Sequence, residues 1–335
     1  MIFNLISRNF WITFLHGLIL ALVSISCSSA ADIYLSPNGR DSNDGASTER
    51  SVATLRRALE LAVVAPTSVG APILIRVLPG TYSGQSVVVD GDSLRHEITI
   101  IGQATDPRDF PVFIGDGSSM NWLVLKAANG RPTGLTIQAL EIRNYFTAIS
   151  LEGNRDEPTA YNSGTIIRRN VFRDIGSIST NEDKLSTAAI RFVNSRNNIV
   201  DHNYFRSIRN KTGCGALHAI YLAHFSSGNR IVGNVFDDAC GSVIKLRDRS
   251  NDNVIENNNF KRIFKAPAVE EWFCDMRARK DCTKKLGECP STGNTLHGNR
   301  LTDSNQSEMV SVVGERIPRE WCGERDFVRD RVSVR

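Results

Sequence analysis

Two residues that can transfer protons, His218 and Tyr221, lie three positions apart in one short segment of the chain. Segments of the same pattern place Arg191 and Lys245 at the position that Tyr221 occupies, and Arg247 lies two residues after Lys245. Histidine and tyrosine can act as general acids or bases. Guanidinium and ammonium groups can stabilise the charge that develops beside a carboxylate. Such a set of side chains could remove a proton next to the carboxylate of a uronate sugar.

Elimination at a uronate requires a base for the C5 proton, an acid for the departing O4, and a group that neutralises the carboxylate. We expect His218 and Tyr221 to share the base and acid roles. Lys245 is the rival base, because like charges at Arg191 and Arg247 would lower its pKa. Arg191 and Arg247 can also bind carboxylates bidentately. An arginine, a tyrosine and a lysine are equally ordinary on a solvated face.

Three more residues complete the candidate site. Trp272 could stack on a sugar ring, and Glu270 and His224 lie at neighbouring positions of the same pattern. His224 is also typical of a turn. No resident metal is expected from the motifs, although Ca²⁺ stays open because Glu152 and Asp248 could hold it or act as a carboxylate pair for hydrolysis.

The segments that carry these residues repeat along the chain. Each copy of one segment type has an Asn shortly before a large apolar residue, and these are Asn170, Asn203, Asn234, Asn258 and, more weakly, Asn299. The copies are 33, 31, 24 and 41 residues apart. A second type contains Ile149, Ile190, Ile220 and Ile244, out of phase with the first. A 24-residue step is too short for a βα unit or for a propeller blade, which needs about 40–45 residues.

This repeat predicts an all-β solenoid, a single-stranded right-handed parallel β-helix in which each short strand pairs with its equivalent in the next coil. The repeated Asn is expected at a bend, where it tolerates left-handed geometry and forms a ladder with Asn of adjacent coils. The Phe two residues later is expected to stack inside. If the four isoleucines point inward, the outward column is Ser150, Arg191, Tyr221 and Lys245. With coils about 4.8 Å apart, the candidate residues form one cationic patch.

The expected organisation is a leader at residues 1–30, a β-helix domain at 31–314 and a C-terminal cap or tail at 315–335. Within the domain we predict a capping helix at about 51–64, with Ser51 and Thr54 as caps, because Leu55, Leu59 and Ala62 have helical spacing. The long last step predicts a disulfide-stapled insertion at about 270–292.

The first thirty residues have the pattern of a signal peptide, with Arg8, an apolar run and Ser28-Ser29-Ala30 before a cut. The alternatives are a membrane anchor and lipidation of Cys27. Export predicts a secreted or periplasmic protein with no membrane contact after cleavage. The net charge of +4 argues against a dedicated nucleic-acid binder. We expect a monomer whose partner is an anionic polysaccharide.

Six cysteines remain after such a cleavage, an even number that suggests disulfides. Cys214 and Cys240 each precede a Gly at matching positions about one coil apart, so we predict that they are bonded. The pairing of Cys274, Cys282, Cys289 and Cys322 stays open.

Two motifs resemble a known superfamily. Ile33-Tyr34-Leu35-Ser36-Pro37-Asn38-Gly39 through Gly45, and Leu78-Pro79-Gly80-Thr81-Tyr82, resemble the opening of exported right-handed β-helix proteins of the pectate-lyase-like superfamily. The resemblance implies the fold of polysaccharide lyases, uronan C5-epimerases and glycoside hydrolases. Residues 234–260 faintly resemble alginate and chondroitin lyases, but Arg249 stands where their Lys is expected, so their catalytic roles are not transferred.

The sequence therefore predicts a secreted enzyme that cleaves an acidic polysaccharide by β-elimination. A C5-epimerase, a glycoside hydrolase and a non-catalytic polysaccharide-binding protein are the alternatives. The polysaccharide and its linkage are left open.

Overall fold

The computed structural model describes residues 31–66, 71–116, 120–181, 184–263, 266–274, 287–304, 308–314, 321–322 and 332–334. The predicted leader at 1–30 lies outside the described residues, as do much of the predicted insertion and most of the C-terminal segment.

Three parallel sheets, here named A, B and C, account for almost all strands. Sheet A contains Ala31–Leu35, Ile73–Val77, Ile98–Gly102, Leu135–Gln138, Ile166–Arg168, Ile199–Asp201, Arg230–Val232, Val254–Glu256, Asn294–His297 and Val332–Val334. Sheet B contains Thr81–Ser83, Val112–Ile114, Glu141–Arg143, Val171–Arg173, Tyr204–Ile208, Val235–Ala239, Asn259–Lys261 and Arg300–Thr302. Sheet C contains Val87–Asp90, Asn121–Lys126, Thr147–Glu152, Ala188–Val193, His218–Ala223, Ile244–Arg247, Val269–Trp272 and Val310–Val313. A further short pair joins Asn162–Ser163 to Ser195–Arg196.

Along the chain the strands recur in the order A, B, C, and each strand pairs in parallel with the strand of the same sheet one coil later. The chain is thus an all-β right-handed parallel β-helix, and the predicted fold is confirmed. Alternate residues of each strand face inward, as in Ile73–Val77, where every second residue is buried.

The core consists of columns of like side chains stacked along the solenoid. Ile149, Ile190, Ile220 and Ile244 are aligned in register and fully buried, as predicted. The rings of Phe172, Phe205, Phe236 and Phe260 stack in sequence, with centroids 4.8, 4.8 and 5.1 Å apart. Such offset stacking adds to the apolar burial of each ring.

The predicted Asn ladder lies at the bend between sheets A and B. The Oδ1 atom of Asn234 accepts from the backbone N and the Nδ2 of Asn203, at 2.9 and 3.0 Å. Asn234 donates in the same way to Asn258, and equivalent bonds join the other ladder residues. The ladder therefore satisfies buried polar groups where the sheets end.

The predicted left-handed conformation of these Asn is wrong. Positive φ belongs to the residue before each ladder Asn, namely Arg169, His202, Gly233, Asn257 and Gly298. The preceding residue makes the turn, which leaves the Asn amide free to point inward.

A second ladder was missed by sequence reasoning. Asn198, Asn229, Asn253 and Asn294 are bonded in series at the bend before sheet A, with backbone N to Oδ1 distances of 2.9–3.0 Å. Their spacing of 31, 24 and 41 residues repeats that of the first ladder, and this was the available signal.

One α-helix, α1, spans Leu55–Val64 in the described part, shorter than the predicted 51–64. Thr54 is the N-cap and accepts from the backbone N of Arg57. Residues before it cannot join the helix, because Val52 is bridged to Leu35 of sheet A. The apolar face of α1 packs into the main core. That α1 closes the first coil stays a prediction. Short 3₁₀ turns occupy Gly91–Ser93, Pro107–Asp109 and Cys214–Ala216.

Two strands lie inside predicted segments. Residues 270–272 are not part of the insertion, since Val269–Trp272 is a strand of sheet C. Within the segment 315–335, predicted as a C-terminal cap or tail, Val332–Val334 adds a tenth strand to sheet A beside Asn294–His297.

Disulfides fasten neighbouring coils. The predicted bond between Cys214 and Cys240 is confirmed, with their Cα atoms 5.2 Å apart. Cys289 is bonded to Cys322, with Cα atoms 5.8 Å apart, which ties the end of the insertion to the C-terminal segment. Cys274 is disulfide-bonded as well.

We predict that Asn234→Ala lowers the free energy of unfolding by at least about 2 kcal/mol, because buried donors of Asn203 lose their acceptor. Urea denaturation measures this. The control Asn154→Ala, in an exposed turn, should change it by less than about 0.5 kcal/mol. Equal losses in the two variants would contradict the role given to the ladder.

Candidate functional site

The outer face of sheet C brings most of the predicted site residues together. Strand pairing places Ser150, Arg191, Tyr221 and Lys245 side by side, and Glu270 follows Lys245 in the next coil. Trp272 is the register partner of Arg247. The column predicted from the repeat is confirmed as geometry, because a parallel ladder with no slip preserves which residues face outward.

The face is not the cationic patch that the sequence predicted. Arg191 donates to Ser150 at 2.9 Å and forms an ion pair with Glu152. Lys245 forms an ion pair with Glu270. The register that aligns these cations also places a carboxylate in the neighbouring coil beside each of them, Glu152 for Arg191 and Glu270 for Lys245. The result is a row of ion pairs whose remaining N–H donors are still available.

Arg247 is the most highly connected of these cations. Its Nη1 donates to the Tyr221 hydroxyl at 3.0 Å, and its Nε is paired with Glu288. Its guanidinium lies 4.3 Å from the centre of the Trp272 ring. In its bond with Arg247 the Tyr221 hydroxyl oxygen is therefore the acceptor, and the hydroxyl proton is not used.

Sequence reasoning missed Glu288 and Arg155, which lie 4.0 Å apart and come from segments outside the repeat. Glu288 is 6% exposed and immediately precedes Cys289, which is bonded to Cys322. Its carbonyl oxygen accepts from the backbone N of Cys274, just after a strand of sheet C, at 3.0 Å. In the sequence, the neighbouring Cys289 was the signal that could have drawn attention to Glu288.

His218 is buried and stacks against Tyr221, with ring centroids 5.7 Å apart. Its Nδ1 lies 2.7 Å from the carbonyl oxygen of Ser242, an acceptor, so Nδ1 carries the proton and Nε2 the lone pair. Burial, reinforced by the nearby Lys245 charge, lowers the pKa of His218 to about 3. The ring is neutral at neutral pH and a weak base.

Tyr221 and Lys245 are register partners whose pKa values are shifted in opposite directions. Burial raises the pKa of Tyr221, although Arg247 opposes the shift. Burial lowers the pKa of Lys245, although Glu270 opposes that shift. For Arg247, burial disfavours the charge, but Tyr221 and Glu288 raise its pKa overall.

His224 lies in a turn beside the site and its Nδ1 is 2.9 Å from Asp248 Oδ2. The other Asp248 oxygen accepts from the backbone N of Cys289 at 3.0 Å. Glu152 is engaged by Ser150 and Arg191. Because both carboxylates face donors, Glu152 and Asp248 do not fit as a calcium pair or as a hydrolytic pair.

A groove of about 370 Å³ opens beside this row, lined by Glu152, Gly153, Arg155, Thr187, Arg191, Val193, Tyr221 and His224. Over the described ranges no group of three or more His, Cys, Asp and Glu side chains is placed to hold a metal ion. Among those same residues no helix is long and apolar enough to cross a membrane.

Comparisons with known proteins agree with this architecture. The family model "right handed beta helix region" matches residues 124–273. The YbhC protein of Escherichia coli is 11% identical, with a TM-score of 0.55 over 98% of this chain and 86% of that one. Pectate lyase Pel9A is 14% identical, with a TM-score of 0.51 over 87% of this chain and 80% of that one. A search of curated proteins finds no match. The chain has the pectate-lyase-like right-handed β-helix fold.

We predict that the neutral His218 makes folding pH-dependent. Its pKa is lower in the folded protein than its ordinary 6.5, so the unfolded chain binds more protons between about pH 3 and 6.5. The stability is present above pH 6.5 and is lost as the pH falls, by up to about 1.4 kcal/mol per unit for one proton. Urea unfolding from pH 7 to 5 measures the slope. His218→Gln should reduce it, with exposed His202→Gln as the matched variant. Equal slopes in the parent and His218→Gln would contradict the assignment.

Proposed function

We propose that the outer face of sheet C binds an acidic, uronate-containing polysaccharide and that the protein cleaves it by β-elimination outside the cytoplasm. The observation that carries the proposal is the Arg247 Nη1 to Tyr221 Oη hydrogen bond of 3.0 Å. Since the arginine can only donate, the phenol proton is directed to another acceptor. The disulfides Cys214–Cys240 and Cys289–Cys322 support export to an oxidising compartment.

The opposite pKa shifts support a division of the proton-transfer roles between Tyr221 and Lys245. Tyr221, whose pKa is raised, stays protonated and serves as the acid for O4. Lys245, whose pKa is lowered, becomes a neutral base more readily and takes the C5 proton. His218, with a pKa of about 3, is too weak a base for this step. Its ring instead stacks against the Tyr221 ring and helps to hold it in place.

The reaction balances with these two groups alone. Lys245 takes the C5 proton, the C5–H electron pair forms the C4–C5 double bond, and the C4–O4 bond breaks as Tyr221 protonates O4. The chain is cut and one new end carries an unsaturated uronate. The negative charge that develops beside the carboxylate requires a nearby cation.

Arg191 is the group that binds this carboxylate. Its Nε and Nη2 are used by Ser150 and Glu152, which fixes the guanidinium plane, and its Nη1 makes no hydrogen bond to the described residues. A fixed plane with an outward donor binds a carboxylate at a small entropic cost. Trp272 lies on the same face for stacking on a sugar ring. The fold is compatible with such an activity, since one structural relative is named a pectate lyase.

The proposal is tested by incubating the protein with polygalacturonate, alginate and hyaluronate, with and without a chelator. We expect ultraviolet absorbance and mass spectra of an unsaturated uronate end from at least one polymer. Loss of turnover with chelator would add a Ca²⁺ requirement. Saturated new ends would indicate a hydrolase, solvent deuterium in uncut polymer an epimerase, and binding without turnover a binding protein. Each of these three results contradicts elimination.

We predict that Tyr221→Phe lowers kcat at least about 100-fold, because the acid is lost while the ring and its stacking remain. The initial rate of unsaturated product formation measures this. Tyr34→Phe on sheet A is the matched control and should keep the parent rate. A Tyr221→Phe variant that is as fast as the parent would exclude the tyrosine as the acid.

We also predict that Glu270→Gln moves the acidic limb of the kcat profile to lower pH. Glu270 raises the pKa of Lys245 against burial, so its neutralisation lets Lys245 lose its proton at lower pH. The pH dependence of kcat measures the limb. Glu256→Gln, which breaks the exposed pair with Arg230, is the control. A limb that stays in place, or moves to higher pH, would rule out Lys245 as the base.

A further inference from the structure

A row of arginines crosses the outer face of sheet B, a different sheet from the one that carries the candidate site. Strand register places Arg143 beside Arg173 and Arg173 beside Arg206. The next member of the same outward column after Arg206 is Asp237, and Lys261 follows it one coil later. Neighbouring members are therefore about 4.8 Å apart at the backbone.

The charge of this row is only partly compensated. Glu141 is shared, at 3.5 Å from Arg143 and 3.8 Å from Arg173. The side chain of Arg206 is exposed and has no ion pair or hydrogen bond with the described residues. Like charges at this spacing oppose each other, and a bound anion would relieve that opposition.

Towards the Lys261 end of the row the available carboxylate is already used. Asp237 is 5% exposed, accepts from the Tyr204 hydroxyl at 2.8 Å, and pairs with Arg262 at 2.5 Å. Asp174 is exposed beside Arg173. With Glu141, Asp237 and Asp238 it brings the local carboxylates to four, against the six cations Arg143, Arg173, Arg206, Arg209, Lys261 and Arg262, and Asp238 is paired with Arg209.

An apolar groove of about 440 Å³ runs next to the arginines. Its walls include Phe110, Val171 and Tyr204, and its rim carries Arg169 and His202. Val171 and Tyr204 lie two residues before Arg173 and Arg206 on the same strands, so apolar wall and cations face outward together. An acidic sugar has the matching chemistry, an apolar ring face and a carboxylate at its edge.

We propose that this face of sheet B is an accessory binding site for an acidic polysaccharide chain, with sugar rings against Tyr204 and carboxylates on Arg173 and Arg206. The site is separate from the sheet C face and does not depend on elimination chemistry. A linear polyanion suits it better than a globular partner, because Arg143, Arg173 and Arg206 recur at one-coil spacing along one column.

The test measures binding of polygalacturonate and alginate to the full chain by isothermal titration calorimetry, in a background of Tyr221→Phe with Arg191→Gln. The first change keeps the polymers intact, and the second removes the proposed carboxylate contact of the sheet C face. We expect Arg173→Gln with Arg206→Gln to weaken binding at least tenfold and to reduce its dependence on salt. Arg50→Gln with Arg230→Gln removes the same charge from exposed arginines elsewhere and should weaken binding less than threefold.

Binding that is unchanged in the Arg173/Arg206 variant, or weakened equally in the control, would overturn the accessory site. Duplex DNA that binds as tightly as the uronate polymers would also overturn it, in favour of a general polyanion surface. Because binding is read without turnover, a failure of the accessory site is distinguishable from a failure of the proposed lyase activity.

Discussion

The in-register stacking of coils is the constraint on which the rest of the molecule depends. Parallel pairing fixes the position of each strand but leaves backbone N–H and C=O groups at the bends without strand partners. At two of the bends, the buried side-chain amides of the Asn ladders form hydrogen bonds with these groups. A ladder tolerates no slip, since each amide oxygen must accept from both the backbone N and the side-chain Nδ2 of the Asn in the preceding coil. The register that the ladders fix decides which side chains face outward together.

That register brings the candidate site residues together on the outer face of sheet C. Tyr221 and Lys245 are neighbours only because Ile220 and Ile244 are stacked beneath the sheet surface. Burial by the strands and by the Glu288 segment then shifts their pKa values in opposite directions. Ion pairs with Glu152, Glu270 and Glu288 hold the cations in place. A mobile cationic surface would attract an acidic glycan, whereas a fixed row of paired cations orients it.

The repeat was sufficient to predict the fold, the Phe stack, the outward column and the Cys214–Cys240 bond, because all of these follow from one periodicity. The repeat could not predict contacts made by residues of segments that are inserted between the repeated strands. Glu288 and Arg155 belong to inserted segments, so no spacing relates them to Arg247. The charge balance of the site was mispredicted for a different reason, since Glu152 and Glu270 lie within the repeat but were not paired with Arg191 and Lys245. The left-handed residues were misplaced by one position, since composition marks a bend but not which residue turns.

The central claim is that an acidic polysaccharide lies on the outer face of sheet C with its scissile bond at Tyr221. A crystal structure of the Tyr221→Phe variant with a bound uronate tetrasaccharide tests it most directly. The account predicts one carboxylate on the guanidinium of Arg191, a sugar C5 facing Lys245 Nζ, and the glycosidic oxygen next to the Phe ring edge. A tetrasaccharide bound only elsewhere on the solenoid, with the sheet C face empty, would contradict it.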